Sequence, residues 1–350
     1  MSAAVCGMAP TNNQTNYRVT IIVPAIMAAV FVAMRIAAKT TLSLPWGVDD
    51  TLIVVSYVSL VPFVIVMQIM ITLGLGLDMW VLSDNQITLT FKLFIYIEII
   101  YLVTLILVKA SILCFFLRIF PDNKFRIVVK CTLAFNLLMG IPFFVLVFFQ
   151  TRPFSMFWEG WQKQQSRAVM NGIVKVSLPH AALNLLLDVW MLVLPLSQLW
   201  ELGLKLRKKL GVIAMFGVGV FLTIVAAIRI HELVLFASSR DLTVINAQTA
   251  MIWSSVELSV GIMVACMPHV RQLIQSIVSR LRKNKEGEKG HSNQGIFVDR
   301  SLATITVDDT PSAPELHDEG GLVKENTTTT TTTSRNTGSA SFSSNAETHV

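Results

Sequence analysis

Residues 93–117 read LFIYIEIIYLVTLILVKASILCFFL, a run in which Glu98 and Lys109 are the two ionisable acid–base side chains of opposite sign. A helix rising 1.5 Å per residue needs ~20 apolar residues to cross ~30 Å of hydrocarbon, and this run is long enough. It is apolar on every side, whereas a surface helix of a soluble domain keeps one polar face. Working outward, six further runs have the same character, near Val19–Ala38, Thr51–Leu73, Ile127–Phe149, Val176–Leu199, Gly211–Phe236 and Ala247–Val270. Seven such segments in succession have no amphipathic partner to cover them in water. The composition agrees: of 350 residues, 53% are hydrophobic and 14% charged, against ~25% charged in soluble domains.

Lipid-facing backbone finds no water, so each span has to close its own hydrogen bonds, and runs of this length suit helices rather than ~10-residue barrel strands. The expectation is an all-α membrane protein, a seven-transmembrane helix bundle that is multi-pass in the plasma membrane or an endomembrane. Three regions follow: an arm at 1–17, the bundle at 18–275, and a polar tail at 276–350. Short loops leave no room for an appended soluble catalytic domain before Ser276. The lipid bilayer is the first partner, and nothing points to nucleic acid.

Lys and Arg counts set the direction of the spans, because cytoplasmic loops retain positive charge. With the N-terminus outside, the inner side holds Arg35, Lys39, Arg118, Lys124, Arg126, Lys130, Lys205, Arg207, Lys208, Lys209, Arg271, Arg280, Arg282, Lys283 and Lys285. The outer side holds fewer: Arg18, Lys92, Arg152, Lys163, Arg167, Lys175 and Arg240. The bias orients the chain N-out, with the C-terminus cytosolic. The first helix then directs its own insertion, since residues 1–16 lack the basic-then-apolar pattern of a cleaved leader. An outside arm makes Asn13, in Asn13-Gln14-Thr15, a glycosylation acceptor.

From Ser276 the chain turns polar, with acids at Asp308, Asp309, Glu315, Asp318 and Glu319 and threonines throughout 327–333. Such a segment cannot bury enough apolar surface to fold and reads as a disordered Ser/Thr-rich tail. Its hydroxyls are phosphorylation targets, and with the basic inner loops it offers contacts to cytosolic signalling proteins. The basic residues from Arg280 to Lys285 rest against anionic headgroups.

The four cysteines, Cys6, Cys114, Cys131 and Cys266, place a single thiol outside, so no intrachain extracellular disulfide is expected. No Cys-x-x-Cys, ligand-spaced His/Cys set, Gly-rich phosphate loop or nucleophile elbow occurs, and no metal site is expected.

The informative residues are the polar ones inside spans. A charge at midplane costs about 2.5–3.5 kcal/mol on insertion scales, so it turns inward and finds a partner. Glu98 and Lys109 on the third span, Asn184 and Asp188 on the fifth, Arg229 on the sixth and Glu257 on the seventh form this set. Depth counting lets Lys109 reach Asp188, and Arg229 reach Glu257 or Glu98. They either fix helix register, or line a cavity for a small lipophilic molecule or switch between conformations. At the cytoplasmic end, Asp49 and Asp50 open the second span, favoured there by the helix macrodipole, with Arg118 at the foot of the third as a partner. Trp158 and Trp161, in an outer loop from Gln150 to Lys175, serve as interface anchors or as a lid.

Local patterns now resemble one family. They are Arg35 through Trp46-Gly47-Val48-Asp49-Asp50; Gly74-Leu75-Gly76 with Trp80; Lys109-Ala110-Ser111 to Leu117-Arg118-Ile119-Phe120-Pro121; and Arg152-Pro153 with Trp158. Further along come Asn184 to Asp188 with Pro195, Arg207-Lys208-Lys209, Arg229, and Trp253-Ser254-Ser255-Val256-Glu257 to Cys266-Met267-Pro268. Their order from about Arg35 to Leu273 resembles the fungal rhodopsin-like integral membrane proteins of the satratoxin-cluster type, related to fungal surface-sensing receptors. The sequence departs from that pattern at Thr151, where a cysteine is usual, near Lys175, where none appears, and at Asp78, where a histidine is usual. A retinal Schiff base needs a lysine in the seventh span, and Ala247–Val270 has none, so no cofactor is expected.

What the resemblance implies is a non-enzymatic receptor-like or accessory component of a fungal secondary-metabolite gene cluster. Two alternatives stay open: an intramembrane cyclase or isomerase using Glu98, Asp188 or Glu257 as acid, and a metabolite transporter.

Overall fold

The computed structural model describes residues 13–77, 82–160, 166–201, 206–238 and 245–302. Among these residues eight helices form: α1 (Gln14–Thr41), α2 (Val48–Leu73), α3 (Asp84–Ile119), α4 (Asn123–Val147), α5 (Met156–Glu159), α6 (Ser166–Glu201), α7 (Leu206–Ser238) and α8 (Ile245–Leu302). All but the one-turn α5 contain a stretch long and apolar enough to span a bilayer, which makes seven spans, and no strand forms among the described residues. This is the all-helical multi-pass bundle that the apolar runs predict. Cys6, Asp78, Trp80, Trp161, Lys163, Lys205, Arg240 and everything from residue 303 onward lie outside the described residues.

Burial identifies the central helix. In α3, 61% of the most apolar window is buried, against 28% in α1, α2 and α4. α3 packs on α2, α4 and α5, while α6 packs on α7 and α4. The outer faces stay apolar and open: Ile22, Val23 and Ile26 on α1, Val58 on α2, Leu138 and Ile141 on α4, and Leu186 on α6 are exposed. A water-soluble protein rarely shows such a continuous apolar belt, and here lipid tails cover it.

Local signals set several helix ends. Asp50 accepts a hydrogen bond from the Gly47 N–H at 2.8 Å, and Asp122 accepts one from the Phe125 N–H at 3.1 Å, so carboxylates meet the exposed amides at the starts of α2 and α4. α2 stops at a turn where Gly74 and Gly76 take φ of +120° and +99°. Those left-handed values suit glycine, and a Cβ at Gly74 would collide with Leu82. Asn13 precedes α1, and its backbone N–H bonds the Gly76 carbonyl at 3.2 Å.

Two boundaries differ from the sequence reading. The segment from Gln150 to Lys175, expected as one outer loop, is not one long loop, because α6 already begins at Ser166 and α5 forms a turn within it. Residues 166–175 are polar enough to lower the hydropathy, yet they carry no proline to stop a helix. At the other end, α8 does not stop at Ser276 and is helical to Leu302. No helix breaker lies between Pro268 and Gly287. None of the side chains from Arg271 to Leu281 is buried, so this extension is a helix end without a packed core. By compactness one unit ends at Gly287 and a second begins at Glu288.

Candidate functional site

Glu257 on α8 is the hub of the buried polar groups. It is 1% exposed, and three helices reach it: Asn184 Nδ2 from α6 donates to Oε1 at 3.0 Å, and Tyr101 OH from α3 donates to Oε2 at 2.8 Å. From α7, Arg229 Nε lies 2.7 Å from the same Oε2 as an ion pair, off the hydrogen-bonding direction. The Arg229 guanidinium also sits 4.9 Å from the centre of the Tyr101 ring, a cation–π contact. About two helical turns beyond Tyr101 along α3, Lys109 Nζ lies 2.7 Å from Asp188 Oδ1 and donates to the Asn184 carbonyl at 2.9 Å. Asn184 thus joins the two pairs, receiving Lys109 on its backbone and holding Glu257 with its side chain.

Of the two acids within reach of Arg229, Glu257 takes it. Glu98 stands apart on the same network edge: its Oε1 accepts from Gln150 Nε2 at 2.7 Å and from Ser177 Oγ at 3.2 Å, and no cation pairs with it among the described residues. Its Oε2 is sealed from solvent without a hydrogen-bond partner, as is Arg229 Nη2. Weighting the charged side chains picks out Asn184 beside Asp188 but passes over Tyr101, Gln150, Ser177 and His180. Tyr101 could have been found as the i+3 neighbour of Glu98 on one helix face.

Against this network lies a cavity of about 170 Å³. Its walls come from the turn after α2, the first half of α3, and α4, α5, α6, α7 and α8, at the end of the bundle where α1 begins. Among aliphatic neighbours, Phe91, Phe94, Phe143 and Phe157 line it together with Tyr101 and His180. Phe157, on the short α5, is 1% exposed and stacks on Phe94 at 5.9 Å, so α5 forms part of the cavity wall. Next to it Trp158 meets Phe154 edge-on at 5.3 Å and has Lys92 Nζ 5.7 Å from its ring. Glu98 and Arg229 both line the cavity; Lys109 and Asp188 lie beyond it.

A second cluster closes the opposite end. Asp49 Oδ2 meets Arg35 Nη2 at 2.6 Å, and Asp50 meets Arg35 at 2.8 Å and Lys39 Nζ at 2.7 Å. Arg118 Nη1 sits 3.3 and 3.4 Å from the two carboxylates, and its Nη2 donates to the Pro45 carbonyl at 2.6 Å. Arg35 Nη1 donates to the Ala265 carbonyl at 2.6 Å, which ties α8 to the cluster. Arg35 and Lys39 were counted in the sequence as loop charges, but they are buried, at 2% and 4% exposure. The signal was available: Arg35 stands inside the apolar run Val19–Ala38. Asp49, Asp50 and His269 bring donor atoms within 4.8 Å of one another, a spacing that a metal could use. Three fixed cations already face the two carboxylates, so a divalent ion would add charge of the wrong sign.

A sequence model described as the fungal rhodopsin domain matches residues 34–276. The chain belongs to that family. The match covers the buried charges of both clusters. A SAT4 family membrane protein of Emericella nidulans is 27% identical over 214 residues, 60% of this chain and 52% of that protein. The fugralins biosynthesis cluster protein 2 of Gibberella zeae is 25% identical over 101 residues, 29% of this chain and 25% of that protein. The chain thus spans about half or less of the length of these relatives. No solved structure matches.

The name rhodopsin raises retinal. Among the described residues the cavity lining contains no lysine to form a Schiff base, and the amine of Lys109 is held by Asp188 and Asn184. The residues present do not fit that group.

Proposed function

We propose that this fungal rhodopsin-like protein is a non-enzymatic, receptor-like or accessory membrane component that takes a small lipophilic molecule, of the kind made by secondary-metabolite clusters, into the aromatic cavity. One observation carries the reading: an apolar cavity ends directly on Arg229 and Tyr101, which belong to the ion-pair network joining α3, α6, α7 and α8. A ligand there touches the groups whose pairing holds four helices, and any difference in its contacts between two arrangements of that network shifts their populations. In the N-out orientation the cavity opens outward, while the basic inner loops and the Ser/Thr-rich tail face cytosolic partners. The Gibberella zeae relative, a fugralins biosynthesis cluster protein, supports the metabolite setting.

The test uses the full chain in lipid nanodiscs, melted with and without lipophilic cluster metabolites. Ligand at ~100 times its Kd stabilises by about 2.7 kcal/mol, which the filled variant Val176→Phe should abolish. Equal responses of the two proteins would refute the cavity as the site.

A second reading is favoured by one feature. Asp188 and Glu257 are each ion-paired, whereas Glu98 carries an unpartnered oxygen and lines the cavity, the position an intramembrane acid catalyst would need. Conversion of a cluster intermediate by purified wild-type protein, lost in Glu98→Gln, would favour it over the receptor-like reading.

A further inference from the structure

Three residues that line the cavity each carry a side-chain atom sealed from solvent and without a hydrogen-bond partner among the described residues: Arg229 Nη2, Glu98 Oε2 and Thr90 Oγ1. Buried polar atoms are nearly always paired, so three orphans around one cavity mark missing partners. From this constellation, resting on the reading that the cavity binds a small molecule, we infer the ligand's chemistry: a neutral aromatic compound with one ring buried, carrying a carbonyl oxygen for Arg229 and a hydroxyl group for Glu98.

Each part has its own reason. Arginine only donates, so Arg229 Nη2 calls for an acceptor. Its charge is already balanced by Glu257, as that of Lys109 is by Asp188, so an anionic ligand would bring an uncompensated charge toward Glu98. A neutral carbonyl accepts without that penalty. Glu98 has Oε1 filled by Gln150 and Ser177 and Oε2 open. A hydroxyl serves Oε2 as donor or acceptor alike, and Thr90 Oγ1 extends the polar edge. The walls of Phe91, Phe94, Phe143 and Phe157 favour a flat ring in stacked or edge-on contact. Size agrees: the cavity of about 170 Å³ slightly exceeds the ~150 Å³ void that admits benzene. A larger molecule seats one ring and leaves the rest toward the opening.

The experiment compares four near-isosteric probes on the full chain in nanodiscs: para-hydroxyacetophenone, acetophenone, para-ethylphenol and para-ethyltoluene. Binding is read by saturation-transfer NMR, with the Val176→Phe variant subtracting partition into lipid. The hydroxy ketone should bind tightest, with each missing polar group weakening the Kd about fivefold or more. Glu98→Leu should erase the advantage of the hydroxyl while leaving acetophenone unchanged. Four equal affinities, or tighter binding of para-hydroxybenzoate than of the ketone, would overturn the inference and leave the cavity as a binding site. If no probe, the hydrocarbon included, gives a signal sensitive to Val176→Phe, the inference and the binding reading fall together.

Discussion

Replacing Lys109 with methionine isolates the energetics of the inner ion pair. Lys109 and Asp188 are 3% and 5% exposed and meet at 2.7 Å. Without the ammonium, the carboxylate of Asp188 stays in an apolar interior with no counter-charge, and removing one partner of a buried pair costs about 3–5 kcal/mol. At about 2–4 °C of melting temperature per kcal/mol, Lys109→Met should melt roughly 6–20 °C below wild type. Asp188→Leu alone strands the ammonium and should cost a similar amount. The double variant removes both charges, and apolar replacement of a whole buried pair is often neutral or stabilising, so it should recover most of the loss. Melting followed by fluorescence-detected size-exclusion chromatography in one detergent reads all four proteins. A double variant that loses the sum of the two single effects would refute the pairing as the source of the cost. If its ligand response also matched wild type, the pair would serve helix register and not signalling.

Other substitutions test the remaining contacts. Arg118 is 33% exposed on its side chain, so Arg118→Ala should cost no more than about 1 kcal/mol, while Arg35→Ala, which strips the shared partner from Asp49 and Asp50, should sharply reduce folded yield; equal melting curves would contradict the assigned geometry. Gly172 on α6 lies against the Gln150 backbone carbonyl, and a Cβ there would collide with it. Gly172→Ala should therefore destabilise by about 1–3 kcal/mol and disturb the Gln150 bond to Glu98, measured as a lower melting temperature and weaker binding of the hydroxylated probe. Epitope tags at residue 2 and residue 290 should be reached from opposite sides of sealed vesicles; same-side access would reverse the orientation argument.

The number of spans, their helical form and the identity of most buried charges were legible in the sequence, because the cost of a charge in hydrocarbon is large and local. Lys109, Asp188, Arg229 and Glu257 stand out for that reason alone. Partner choice was only half legible: depth permits Arg229 to reach Glu98 or Glu257, and rotation of α7 about its axis, which no linear reading holds, decides between them. The same blindness hid Arg35 and Lys39. A basic residue near a helix end can snorkel to water, and what turns these two inward is the pair of carboxylates at the start of α2. The cavity was not legible either, since Phe91, Phe94, Phe143 and Phe157 look like any apolar residues until the helices place them around one space.

α3 carries Tyr101 at the cavity and Arg118 at the far cluster, 17 residues apart along one unbroken helix, or about 26 Å. The helix behaves as a lever. If it pivots near Tyr101 by about 2°, its foot swings by about 0.9 Å over that length, enough to stretch contacts of 3.3 and 3.4 Å at Arg118 past hydrogen-bonding range. A sub-ångström adjustment beside the aromatic chamber is thereby magnified into loosening of the latch between α3 and the α1–α2 turn.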